Sequence, residues 1–163
     1  RIVSNLESLI ISENPETIAA FIAEPITGAS GVIVPPEGYY EKVQSVLSKH
    51  NIMFWADEVI TGFGRTGSDF GCTTMNIHDP DMMTFAKQLS SAYMPISASA
   101  IRRDVYEAMI DQSAAAGAFG HGYTYSGHPV ACAVALRVLE IYERDNIFSR
   151  ASATGAYLSL IHI

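Results

Sequence analysis

The sequence predicts an α/β fold in three layers, built on a mostly parallel sheet. Short apolar runs alternate with amphipathic stretches at helical spacing, and an ionisable residue follows directly on three of those runs. Ile2, Val3, Leu6, Leu9 and Ile10 recur at helical spacing, so residues 1–12 read as an amphipathic helix. Residues 17–23 form a continuous apolar run suited to a buried parallel strand. That run ends at Glu24-Pro25, and a glycine-containing loop leads on to Pro35-Pro36. A helix is expected over 37–50, with Tyr40, Val43, Val46 and Leu47 on one side, followed by a strand over 52–57. Residues 58–81, rich in Gly, Thr and Asp, read as mostly loop. Residues 82–86 make a third strand, and 96–101 are a candidate fourth, with an antiparallel run as one option. Helices are expected over 103–111 and 129–145. Nothing in the chain suggests repeats or a linker, so residues 1–157 read as part of one domain.

The balance of residue types narrows the function classes. A chain of 163 residues that is 48% hydrophobic holds one ordinary core. Its net charge of −7 argues against a nucleic-acid surface, which needs clustered Lys and Arg. No apolar run approaches the roughly 18 residues of a membrane-spanning helix. Cys72 and Cys132 fit no metal or redox spacing, so no metal is expected and a reducing cytoplasm is the default location. The chain opens without Met inside a helical pattern, which makes an internal fragment the expectation. Its last six residues, Leu158-Ser-Leu-Ile-His-Ile163, are what a transposon mosaic-end adapter of short-read libraries encodes in one frame. A non-native tail over 158–163 is therefore expected, with a genuine apolar helix end as the alternative.

Glu24, Asp57 and Lys87 each lie at the carboxyl end of an expected strand, where ligands gather in open α/β sheets. A carboxylate and an amine at the ends of buried strands are costly to desolvate unless something pairs with them. Pyridoxal phosphate answers both needs. Its aldehyde condenses with a lysine, and its pyridinium nitrogen pairs with a carboxylate. Glu58 adjoins Asp57, and strand alternation points the two side chains opposite ways. Val59 would then return to the Asp57 face. Gly62-Phe-Gly-Arg-Thr-Gly67 matches G-x-G-x-x-G, but that dinucleotide fingerprint needs a helix straight after the glycines, and Ser68-Asp-Phe-Gly-Cys-Thr-Thr does not read as one. Arg65 reads either as a steadying hydrogen-bond donor for this loop or as a plain surface arginine.

The segments Ala56-Asp-Glu-Val, Thr84-Phe-Ala-Lys-Gln-Leu-Ser-Ser90 and Phe119-Gly-His-Gly-Tyr-Thr-Tyr-Ser-Gly-His-Pro129 resemble the class III (omega) aminotransferases of pyridoxal-phosphate fold type I, from about residue 6 to about residue 150. The resemblance implies a Lys87 aldimine with the cofactor, and a freed Lys87 amine that moves a proton between the substrate carbon and the cofactor. It implies that Asp57 holds the ring nitrogen protonated, that Val59 packs on the ring and that Glu24 sits near it. Thr124 would bind the phosphate of the cofactor in the partner subunit of a homodimer, where a hydroxyl and exposed amides in a Gly-rich turn suit a dianion. The alternative for that stretch is a turn before a helix starting near Pro129. His121 and His128, seven residues apart on a loop, fit no ligand pattern and read as structural.

Gln88, Ala92 and Ser97 depart from the glycines common in the family at and after the lysine turn. The residue combination looks most like the amine–pyruvate branch, with an amine or omega-amino acid as donor and a keto acid as acceptor. Decarboxylation or racemisation on the same scaffold, and a truncated, catalytically silent chain, are the rival readings. A fragment of this kind is expected to be poorly soluble alone, because interface surface is uncovered.

Overall fold

A computed structural model describes residues 1–161, so the last two residues of the expected tail over 158–163 lie outside the described residues. The elements run α1 (Ile2–Ser12), β1 (Ala20–Ala23), α2 (Tyr39–Lys49), β2 (Met53–Asp57), α3 (Gly71–Thr74), β3 (Met82–Phe85), β4 (Ala98–Ile101), α4 (Arg103–Ala116), α5 (Pro129–Arg144) and α6 (Ile147–Ile161). The sheet has the order β1-β2-β3-β4. Its first two pairings are parallel and the last is antiparallel, which gives the mostly parallel α/β sheet that the alternating pattern predicts. The candidate fourth strand takes the antiparallel option.

One face of the sheet carries the core. Val43 and Leu47 of α2, Ile10 of α1 and Phe54 and Ala56 of β2 are all buried together. The alternation along β2 is strict: Phe54 and Ala56 are buried, whereas Met53, Trp55 and Asp57 on the other face are half-buried. Trp55 is held on that second face by a 2.6 Å bond from its Nε1 to Thr84 Oγ1. A groove of about 1840 Å³ opens there, lined by Trp55, Ile96, Met109, Phe119 and Tyr125 among others. At the opposite end of the sheet Asp81 ties three segments together. Its Oδ2 accepts from Phe54 N at 2.7 Å, its backbone oxygen accepts from Arg102 N at 2.9 Å, and its Oδ1 pairs with the Arg102 guanidinium.

Several elements differ from the sequence reading. The first strand is shorter because Pro15–Thr17 form a 3-10 turn. Asn14 caps that turn by accepting from Glu16 N, and the Thr17 hydroxyl donates back to the carbonyls of Glu13 and Asn14. α4 runs five residues past the expected end at 111, because the Ala114-Ala-Ala116 run needs no apolar period to stay helical. It stops where Gly117 takes φ 80°. α6 meets the sequence reading only in the alternative of an apolar helix end from 158; its start at Ile147 has no counterpart, since its apolar residues are not gathered on one face. Among the described residues no helix is long and apolar enough to cross a membrane.

Val43 is fully buried at the centre of the core. Val43→Ala is expected to cost roughly 2 kcal/mol of unfolding free energy, read as a shift of the urea midpoint of the full-length protein. A loss below about 0.5 kcal/mol would place the core elsewhere.

Candidate active site

Parallel pairing brings three carboxyl ends side by side. Ala23 lies opposite Ala56, and Asp57 lies opposite Thr84. Glu24 therefore follows β1, Asp57 ends β2, and Lys87 stands two residues beyond β3. The three ionisable residues singled out from sequence share one edge of the sheet. Thr124 does not join them. It sits in an exposed turn before α5 and makes no hydrogen bond to Glu24, Asp57 or Lys87 among the described residues.

The Asp57 carboxylate is fixed but not neutralised. Its Oδ1 accepts from Val59 N at 3.0 Å. No cation pairs with it among the described residues, and no carboxylate pairs with Lys87. β2 ends at Asp57, so strand alternation reaches only as far as Glu58, and what Val59 contributes here is its backbone N–H. Glu24 is tied locally: its Oε2 accepts from Gly28 N at 2.8 Å, and its backbone oxygen accepts from Tyr40 Oη at 2.6 Å. Burial pushes the Tyr40 hydroxyl well above the ordinary tyrosine range, so it stays a donor.

Strand alternation gives Glu58 only the direction opposite to Asp57, and the structure gives it a larger part. Its side chain is fully buried. Its Oε2 accepts from Thr61 Oγ1 at 2.6 Å and from Gly71 N at 2.9 Å, and its Oε1 accepts from Cys72 N at 2.7 Å. One carboxylate thus closes the whole loop from β2 to α3. The approach requires Gly71, since a Cβ there would lie 2.6 Å from Thr61 Cβ and 2.9 Å from Pro25 Cβ. Cys72 is buried in the same place. Desolvation, reinforced by its bond to Glu58, pushes its thiol far above the usual range.

The glycine-rich stretch before α3 is a packing device. Residues 61–70 form turns and bends; the stretch read as non-helical does carry the four-residue α3, but that helix starts only at Gly71, four residues past the last glycine, so the dinucleotide reading lacks a helix opening on the glycines. Gly64 has φ 89°, and a Cβ on it would lie 2.5 Å from Phe148 Cδ1 of α6. Phe63, Phe70 and Phe85 pack ring to ring at 5.5 Å, pinning this loop to the end of β3. The Arg65 guanidinium faces the Gln88 side chain. With the Gln88 amide oxygen turned towards it, that oxygen accepts from Arg65 Nε at 3.3 Å and from Nη2. Arg65 therefore takes the steadying role, and Gln88, one of the departures from the family pattern, is its partner.

Lys87 opens a tight turn and adopts φ 41°, with Ser91 at 49° and Ala92 at 61°. Left-handed backbone costs a non-glycine residue about 1–2 kcal/mol, so three such residues in six mark a turn held by its surroundings. Lys87 is exposed and Asp57 half-buried, which is less desolvation than buried strand ends imply. The reason is that only the α1–α2 side of the sheet is fully covered in this chain. His128 caps α5, accepting from Ala131 N through Nδ1 at 3.4 Å. Among the described residues no group of His, Cys, Asp and Glu could hold a metal ion.

An unpaired carboxylate and an unpaired amine on neighbouring strand ends form a donor set that fits a group carrying a ring cation and an aldehyde. A model of the family described as aminotransferase class-III matches residues 1–160. The chain is 56% identical over 152 residues to gamma aminobutyrate transaminase 3, chloroplastic, of Solanum lycopersicum, covering 93% of this chain and 29% of that protein. It is similar to a solved omega transaminase from Pseudomonas jessenii in complex with PMP, with TM-score 0.90 and 56% identity, covering 91% of this chain and 33% of that one. A structure described as a transaminase with L-ala superposes with TM-score 0.94 at 52% identity, covering 96% of this chain and 37% of that one. The chain spans about a third of the length of the relatives it matches.

The buried Glu58 bonds yield a test. Glu58→Ala leaves the Gly71 and Cys72 amides without their acceptor and is expected to cost at least about 2 kcal/mol in urea unfolding of the full-length protein. A change within about 0.5 kcal/mol would mean that the loop closes without it.

Proposed function

Since the chain belongs to the class-III aminotransferase family, we propose that it forms the central part, over residues 1–157, of the large domain of a pyridoxal-phosphate-dependent transaminase. The reaction moves an amino group from an amine or omega-amino acid to a keto acid such as pyruvate. The observation that carries this reading is the pair Asp57 and Lys87, a carboxylate and an amine with no ion-pair partner among the described residues, at the carboxyl ends of adjacent parallel strands. The relative named for gamma aminobutyrate and the structure described with L-ala support an amino-acid donor and a pyruvate-type acceptor.

When bound, the cofactor supplies an electron sink for the carbon that loses its proton. Asp57 would face the ring nitrogen and keep it protonated, its carboxylate already oriented by Val59 N. Lys87 would hold the cofactor aldehyde, and its freed amine would carry the proton at the substrate carbon. Val59 would line the ring, and Glu24, braced by Gly28 N, would stand beside it. Thr124 would donate to the phosphate of the cofactor in a partner subunit, which makes a homodimer the working assembly; its exposed turn is free to make that contact. A cytoplasmic location is part of the proposal, resting on two free cysteines, although relatives carry chloroplastic and mitochondrial names.

The test is alanine formed from pyruvate by the full-length protein supplied with pyridoxal phosphate and an amine donor. Lys87→Ala is expected to lower the rate at least about 10³-fold, and Asp57→Asn by about 10²-fold. An unchanged rate in Lys87→Ala would overturn the assignment. Consumption of donor with no alanine formed would favour decarboxylation or racemisation.

A further inference from the structure

We propose that Tyr142 is a positioning residue for Lys87, clamping the turn that presents the lysine from the far side of α5. The proposal rests on the reading of Lys87 as the residue that holds the cofactor. Within the turn, the Lys87 carbonyl accepts from Ser90 N at 3.2 Å and from Ala92 N at 3.3 Å. The Gln88 carbonyl accepts from Ser91 N at 3.2 Å, which leaves its second lone pair open. Tyr142 fills that place, donating its hydroxyl at 2.8 Å. The same hydroxyl is 2.8 Å from Ser91 Oγ, which is then the donor to the phenol oxygen. One side chain, more than fifty residues downstream, therefore engages the turn at both Gln88 and Ser91.

The clamp acts where the backbone is strained. Lys87 and Ser91 hold left-handed φ values of 41° and 49°, and Lys87 itself is exposed. Nothing in the lysine side chain fixes its direction, so the turn must. Leu89 and Ser90 anchor the middle of the turn, the latter through Oγ donating to Met94 O at 2.6 Å. With its amide oxygen turned towards Arg65, the Gln88 side chain accepts from that guanidinium as well. Tyr142 is itself seated against Phe148, at 5.7 Å between ring centroids, and Phe148 packs on Gly64 of the Arg65 loop. The Asp57 loop and the Lys87 turn thus share one brace. Without the Tyr142 hydroxyl, Lys87 can relax towards right-handed φ and redirect its Cα–Cβ bond.

The experiment compares wild type, Tyr142→Phe and Ser91→Ala in the full-length protein loaded with pyridoxal phosphate. The wild type should show a visible absorbance band that borohydride bleaches. The Phe variant should keep that band but show altered visible circular dichroism, which reports the orientation of the bound chromophore. It should also release cofactor roughly thirtyfold faster, the change expected for two lost neutral hydrogen bonds. Ser91→Ala loses only one of the two contacts and should shift both readouts in the same direction by less; it carries the test if the Phe variant does not fold. Visible dichroism and release rate unchanged from wild type in a folded Phe variant would overturn the proposal and leave Tyr142 a packing residue. A wild type without a bleachable band would remove the reading of Lys87 and this proposal with it.

Discussion

A carboxylate with no access to solvent sets the geometry of this chain. Burying Glu58 is tolerable only because three donors converge on it: the Thr61 hydroxyl and the amides of Gly71 and Cys72. Those bonds fold the segment after β2 back on itself and fix the residue before it. With Glu58 committed to the core side, Asp57 must face the other way, at the edge where Glu24 and Lys87 also lie. A carboxylate with its own bonding fully satisfied thus leaves its neighbour with one backbone donor and, among the described residues, no cation.

The lysine side of the edge is held by different means. There the backbone is strained, and distant groups stabilise the turn: the Tyr142 hydroxyl and the Arg65 guanidinium. The Phe63–Phe70–Phe85 cluster joins this turn to the Glu58 loop, and Phe148 closes the arrangement from α6. Asp57 and Lys87 are consequently placed by one connected set of contacts rather than by two independent loops. The sheet supplies their spacing, and the contacts supply their direction.

How much of this was legible in the sequence follows from the range of each interaction. The strands and the helix α2 were readable because burial on one face imposes a local period, as in Phe54 and Ala56 against α2. Asp57, Glu24 and Lys87 were readable because each directly follows an apolar run. The short first strand was not, since Asn14 and Thr17 divert the chain by side-chain bonds that compete with sheet pairing. The start of α6 was missed because its apolar residues gather on no one face, so helical spacing gave no cue. The role of Glu58 needed Gly71 and Cys72, thirteen and fourteen residues on, and that of Tyr142 needed Gln88, fifty-four residues back. No local pattern encodes such pairings. The glycines of Gly62–Gly67 imitate a nucleotide fingerprint by spacing alone, while Gly64 and Gly67 are placed by contact with α6 and Gly62 by contact with Glu58.

The central claim is that Lys87 is the residue that bonds the cofactor, and one measurement tests it most directly. The full-length protein is incubated with pyridoxal phosphate, reduced with borohydride and digested, and the peptides carrying the added pyridoxyl mass are sequenced. Within this chain the choice is among Lys42, Lys49 and Lys87. The account predicts the label on Lys87, at one per chain. A label on Lys42 or Lys49 in its place, or none at all, would contradict it.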